Sequence, residues 1–96
     1  MTNEPKYLFF SYGIFMDGMV STRHETEYAT VKGYKTVGDR IVQAVPDETA
    51  TLSGMVMLVT RSEVAYLDGV ERHPTWYKRT NIELTDGREA FMYVKA

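Results

Sequence analysis

Only one stretch of this chain has the length and spacing of a helix, and its start is marked by two residues at once. Thr60 is followed three residues later by Glu63. That is the spacing of a capping box, in which each side chain satisfies an otherwise orphaned backbone donor of the other. The spacing predicts a helix over residues 61–72. The apolar runs on either side are too short for stable helices and are punctuated by glycine and proline, so they read as strands. One helix set among short strands constrains the chain to an α+β domain.

Tyr7 to Tyr12 is aromatic and apolar, reads as a buried strand, and ends at Gly13, where the backbone can turn sharply. Residues 16–30 mix polar and apolar positions without a clean period and are expected to form a loop with a short helical turn. Ala29 to Val37 alternates around Gly33 as a second strand. Ile41 to Val45 follows as a short third one, stopped by Pro46, and Pro46-Asp47-Glu48 carries turn chemistry. Thr51 to Val59 is a further strand whose internal Gly54 signals a bulge, a bend or a close backbone approach. After the helix, Tyr77 to Thr85 and Arg88 to Lys95 are strands joined by Asp86-Gly87, a two-residue hairpin signal. The expectation is five or six strands, mostly antiparallel, with one main helix and a sheet curling toward a small mixed β-barrel.

Ninety-six residues make a single domain, 1–96, long enough to bury one core. With 44% hydrophobic and 25% charged residues the chain has the balance of a globular protein rather than a disordered one. The net charge is −2, and Lys78-Arg79 is the one adjacent basic pair, so no basic stripe points to nucleic acid. The absence of cysteine excludes disulfides, thiolate zinc sites and a cysteine nucleophile, and fits a reducing compartment. His24 and His73 are far apart and lack ligand spacing, so no metal site is expected. The first residues lack the pattern of a secretory signal, and no apolar run approaches a membrane span. A soluble, cytoplasmic protein that binds no membrane is the expectation. Nothing in the sequence fixes an oligomeric state.

Within the expected helix one carboxylate falls on the apolar side. At about 100° per residue, Glu71 lies within roughly 20° of Val64, and Asp68 within roughly 40°. Val64 and Leu67 define the stripe that faces the core, so Glu71 points toward it. There the loss of water favours the protonated form and brings the carboxyl toward proton transfer near neutral pH. The wheel also allows a last-turn side chain that curls out to solvent or pairs with Arg72, Arg79 or His73. Asp68, at the edge of the stripe beside Gly69, reads as an exposed or capping residue. Ser11-Tyr12 running into Gly13-Ile14 is either an ordinary turn or a nest of backbone N–H groups for a carboxylate or an oxyanion. Alternation puts Tyr77 and Arg79 on one face and Ile82 and Leu84 on the other. Arg79 facing inward would meet Glu71 or a substrate carboxylate; facing outward it is a surface charge. His73 reads as a solvated loop residue or as a hydrogen-bonding group beside the site. Tyr66, Trp76, Tyr77, Phe91 and Tyr93 are expected to pack in the core, with an aromatic rim around a binding mouth as the alternative.

In chain order these segments resemble the gamma-glutamylcyclotransferase-like family, which includes the gamma-glutamylamine cyclotransferases. Tyr12-Gly13 is similar to the family's Tyr-Gly-(Ser/Thr)-Leu loop. A strand around Gly33-Tyr34 follows, and Ser53-Gly54-Met55-Val56 resembles the family's Val-x-Gly-x-Val/Leu-Tyr strand. Leu67-Asp68-Gly69-Val70-Glu71 matches Leu-Asp-x-x-Glu, Tyr77-Lys78-Arg79 matches Tyr-x-Arg, and Ala90 to Val94 resembles the closing aromatic strand. Each motif is weak alone; five in the right order, over nearly the whole chain, are fairly specific.

The resemblance implies a small barrel with a helix packed beside it and a polar pocket at one end. It implies Glu71 as general acid and base, with the glutamyl end of a substrate held against Tyr12, Gly13, Ile14 and Phe15, and with Tyr77 and Arg79 as further binding residues. The implied reaction converts a gamma-glutamyl amine or peptide to 5-oxoproline and a free amine, with no metal or cofactor. Ile14 and Phe15 depart from the family pattern, being bulkier than its hydroxyl residue and leucine. They leave open a second reading, a non-catalytic module that keeps the pocket for a small anionic or amino-acid-like ligand or a protein partner.

Overall fold

The computed structural model describes residues 5–12, 25–38 and 42–96. β1 (Lys6–Ser11) carries Phe9 and Phe10 in sequence, which alternation sends to opposite faces. Both are buried, because the sheet is covered on both sides where β1 runs. β2 (Glu27–Val37) and β3 (Gln43–Thr60) form a long antiparallel pair. The chain then enters α1 (Arg61–Val70) and returns as the antiparallel pair β4 (Tyr77–Glu83) and β5 (Glu89–Lys95). The sheet order is β2-β3-β1-β5-β4, with β1 antiparallel to β3 and parallel to β5 through Phe9 and Phe91. This is the mixed, mostly antiparallel α+β sheet that the sequence leads one to expect, with five strands among the described residues.

Three local expectations are corrected. The stretches 41–45 and 51–59 are not separate strands: β3 runs unbroken from Gln43 to Thr60, straight through Pro46. Pro46 lies opposite Tyr34 of β2, and β1 pairs with β3 only from Met55 onward, so among the described residues no strand pairs with the other edge at that point. A proline is tolerated where a strand has one free edge. The turn chemistry expected at 46–48 survives as a side-chain bracket, in which Asp47 accepts hydrogen bonds from the N–H of Thr49 at 2.9 Å and its hydroxyl at 2.7 Å. Second, β2 begins at Glu27, inside the stretch 16–30 expected to be loop; residues 13–24 lie outside the described residues. Third, the last hairpin has a three-residue loop, not two. Gly87, at φ 93°, donates to the Leu84 carbonyl at 2.9 Å, and Leu84 donates to Arg88 at 2.8 Å. A tight turn followed by a left-handed glycine has this pattern.

Gly54 makes the close approach that a glycine inside a strand suggests. A methyl group there would collide with the Ser11 carbonyl oxygen and come within 2.7 Å of the Phe10 ring. Two cores result, one on each face. Phe10, Val31, Val56, Ile82 and Met92 fill the curl of the sheet, while Phe9, Met57, Val59, Tyr77 and Tyr93 pack beneath Leu67 of α1. Burying each such side chain is worth about 1.5–3 kcal/mol. The curl brings the two edge strands together at one end. The Thr85 N–H donates to the Thr30 carbonyl at 2.9 Å, their hydroxyls lie 2.6 Å apart, and Arg88 pairs with Glu27 at 2.9 Å. Beyond that closure a cleft of about 450 Å³ opens between Val31, Lys32 and Tyr34 on β2 and residues 81–85. Among the described residues no helix is long and apolar enough to cross a membrane.

Candidate active site

The sequence around residue 71 fixes the direction of the Glu71 side chain before tertiary packing acts on it. The capping box forms as the Thr60/Glu63 spacing predicts: the Thr60 N–H donates to Glu63 Oε1 at 2.9 Å and the Glu63 N–H to Thr60 Oγ1 at 3.3 Å. At the other end the Glu71 N–H still donates to Leu67 at 2.9 Å. Arg72 then adopts a left-handed backbone, φ 53°, its N–H donates to Gly69 at 3.3 Å, and the His73 N–H reaches the Asp68 carbonyl at 2.9 Å. These paired bonds are the helix-terminating arrangement usually made with glycine. Glu71 is therefore clamped between the last helical turn and this stop, with Leu67 one turn away in the core.

Glu71 turns inward and as a residue is 6% exposed. No described residue gives it a hydrogen bond or an ion pair, so the alternative of a solvent-facing or salt-bridged Glu71 is not what the structure adopts. Burial raises its proton affinity above that of an ordinary glutamate. Its place at the carbonyl end of α1, where the helix dipole is negative, acts in the same direction.

Two tyrosines interact with it electrostatically. The Tyr12 hydroxyl donates to the backbone carbonyl of Tyr93 and accepts from the N–H of Ala44 at 3.1 Å. Burial pushes that hydroxyl up to about 12, with a smaller contribution from the charge of Glu71. The Tyr93 hydroxyl donates to Asp68 Oδ1 at 2.6 Å. It too is raised, first by burial, then by the hydrogen bond to Asp68, and to a lesser extent by Glu71. Both phenols thus stand within electrostatic reach of the carboxylate.

Tyr77 lies on the helix-side core, on the face that alternation gives it, opposite Ile82 and Leu84. Arg79 meets Asp68 and not Glu71, with its Nη1 2.7 Å from Asp68 Oδ2. His73 is held beside the site by its Nδ1, which accepts the Arg79 N–H at 3.0 Å. Gly13, Ile14 and Phe15, and His24, lie outside the described residues. Of the aromatic set, Tyr77, Phe91 and Tyr93 are core residues, whereas Tyr66 and Trp76 are exposed. Trp76 instead underlies the Arg72 guanidinium, 4.4 Å from its ring centre, a cation–π contact that brackets the loop.

Asp68 is the residue that sequence reasoning undervalues. The sequence reads it as exposed or capping, yet it joins Tyr93 and Arg79 one turn before Glu71. The available signal is its i, i+3 spacing from Glu71, which puts two carboxylates on one helix face. Three clefts of about 450, 350 and 530 Å³ are lined mainly by β4 and its neighbours, and none is lined by Glu71 or Tyr12. Among the described residues no three histidine or acidic side chains come together as a metal would require.

The family model for gamma-glutamyl cyclotransferase, AIG2-like, matches residues 9–96. The chain belongs to the gamma-glutamyl cyclotransferase, AIG2-like family. The likeness extends to solved structures. A protein of Arabidopsis thaliana determined in solution is 25% identical, with a TM-score of 0.75 over 94% of this chain and 68% of its own. An AIG2-like protein of Mus musculus is 19% identical, with a TM-score of 0.73 over 95% of this chain and 78% of its own. A structure described as gamma-glutamyl cyclotransferase is 14% identical, with a TM-score of 0.71 over 96% of this chain and 68% of its own. The latter two share the fold of this family member, which spans roughly two-thirds to four-fifths of each of the three. No curated protein matches the chain.

Proposed function

We propose that the chain is a cytoplasmic cyclotransferase that converts a gamma-glutamyl amine or peptide to 5-oxoproline and a free amine, with Glu71 as the proton-transfer group. The observation that carries this reading is a glutamate 6% exposed, without a partner among the described residues and with raised proton affinity, in a family of that name. Such a carboxylate is matched to taking a proton near neutral pH and giving it back.

In the proposed reaction Glu71 removes a proton from the substrate's α-ammonium group and frees the nitrogen lone pair. The nitrogen attacks the γ-carbonyl carbon of the same molecule, forming the lactam C–N bond. The amide C–N bond to the leaving amine then breaks; the departing nitrogen takes the proton held by Glu71 and the second proton that the new lactam nitrogen sheds, and leaves as an ammonium. Nothing is oxidised or reduced, and no water is consumed. Because both reacting groups belong to one molecule, holding the folded-back conformer supplies much of the rate. The glutamyl end would lie against Tyr12 and the residues that follow it, with Tyr77 and Arg79 nearby.

The test is to incubate the purified protein with a panel of gamma-glutamyl amines and dipeptides and follow 5-oxoproline by mass spectrometry. Wild type is expected to release it and Glu71→Gln to lose at least about 100-fold in rate, the lower range for removing an acid–base group. Equal turnover by both would remove Glu71 from the chemistry. No product from folded wild type across the panel would leave the family pocket as a binding module.

A further inference from the structure

Two hydroxyls lie within electrostatic reach of Glu71, and neither offers it a proton. Tyr12 commits its proton to the Tyr93 carbonyl, and Tyr93 commits its own to Asp68 Oδ1 at 2.6 Å. The Arg79 guanidinium is committed as well, since it sits 2.7 Å from Asp68 Oδ2. Asp68 and Glu71 are three residues apart on one face of α1, so every donor that Asp68 holds is a donor withheld one turn from Glu71. Among the described residues, the carboxylate interacts electrostatically with Tyr12, which follows β1, and with Tyr93 on β5; Tyr77 on β4 acts on Tyr12, and Asp68 and Arg79 act on Tyr93. His73 is occupied by the Arg79 N–H.

A hydrogen bond or a cation given to a carboxylate stabilises its charged form and makes it a poorer base. We propose that Asp68 is a positioning residue for Glu71: by accepting the Tyr93 hydroxyl proton and pairing with Arg79, it holds both donors off the Glu71 carboxylate. The inference rests on Glu71 as the proton-transfer group proposed above and says what keeps that group basic. Tyr93 and Arg79 are on this account held in reserve, their orientation set by Asp68 rather than by Glu71.

The test reads Glu71 directly, following its side-chain carboxyl carbon by NMR against pH in the protein without substrate. Asp68→Ala, at a partly buried helical position where alanine is a good helix former, is expected to lower the Glu71 midpoint by about one pH unit or more. Adding Tyr93→Phe to that variant recovers the part due to the freed hydroxyl, and adding Arg79→Met recovers the part due to the freed cation. Tyr93→Phe alone leaves the midpoint at its wild-type value. An unchanged midpoint in Asp68→Ala overturns the proposal, as does a fall that neither added substitution recovers. So does a rise of about one unit in Tyr93→Phe alone, which would mean that the hydroxyl already serves Glu71. If Asp68→Ala does not fold, the Tyr93→Phe measurement decides. No substrate enters these titrations, so a protein without turnover on the gamma-glutamyl panel would still show or lack the midpoint shifts.

Discussion

Glu71 holds a proton more tightly in the folded chain than in the unfolded one, because burial withdraws water from its charged form. The sign of the linkage follows. Between the ordinary glutamate value, about 4.3, and the raised folded value, the native state binds more protons, so stability falls as pH rises through that window. Above it the penalty is fully present. Glu71→Gln removes the charge and is expected to raise Tm by a few degrees near pH 8, with the gain shrinking toward pH 4. Thermal melts of both proteins across that range check it, and a gain independent of pH would contradict the assignment. A variant more stable than wild type yet inactive would also separate chemistry from folding. Glu71 is legible in the sequence because its position depends only on the helical period. The Asp68 contacts are not, because Arg79 and Tyr93 lie 11 and 25 residues away and only tertiary folding brings them to the helix.

At the scale of single elements, two substitutions should differ in size for a reason visible in their surroundings. Gly54 stands where β3 faces Ser11 and Phe10, and a Cβ there meets a backbone carbonyl that has no freedom to move aside. Gly54→Ala is expected to cost about 3 kcal/mol, the upper part of the range for overpacking. Thr60→Ala loses one capping hydrogen bond at a helix start and should cost about 1 kcal/mol. Urea unfolding of both gives the comparison, and a smaller loss at Gly54 than at Thr60 would mean that β1 can shift away from β3. The capping box can be read from Thr60 and Glu63 because both partners lie within one turn. The continuity of β3 cannot, since Pro46 ends a strand in most settings. Here it is accommodated because, among the described residues, no strand pairs with the edge of β3 away from β2 at that position.

For the molecule as a whole, the Tyr12 hydroxyl is a tie between distant parts of the sheet. It donates to β5 and accepts from Ala44 near the start of β3, so one side chain fixes the curl from within. Tyr12→Phe would leave the Ala44 N–H without that acceptor and is expected to lower stability by about 1–3 kcal/mol, read by urea unfolding. An unchanged midpoint would show that water takes the place of the hydroxyl. The strand order carries a different consequence. β5 follows β4 in the chain yet sits beside β1, and its side chains supply both cores, Phe91 and Tyr93 to one and Met92 and Val94 to the other. A nascent chain still holding residues 89–95 inside the ribosome therefore has two half-walled cores and a bare edge on β1. Because β5 walls both cores, the two are expected to melt together, as one cooperative transition in urea.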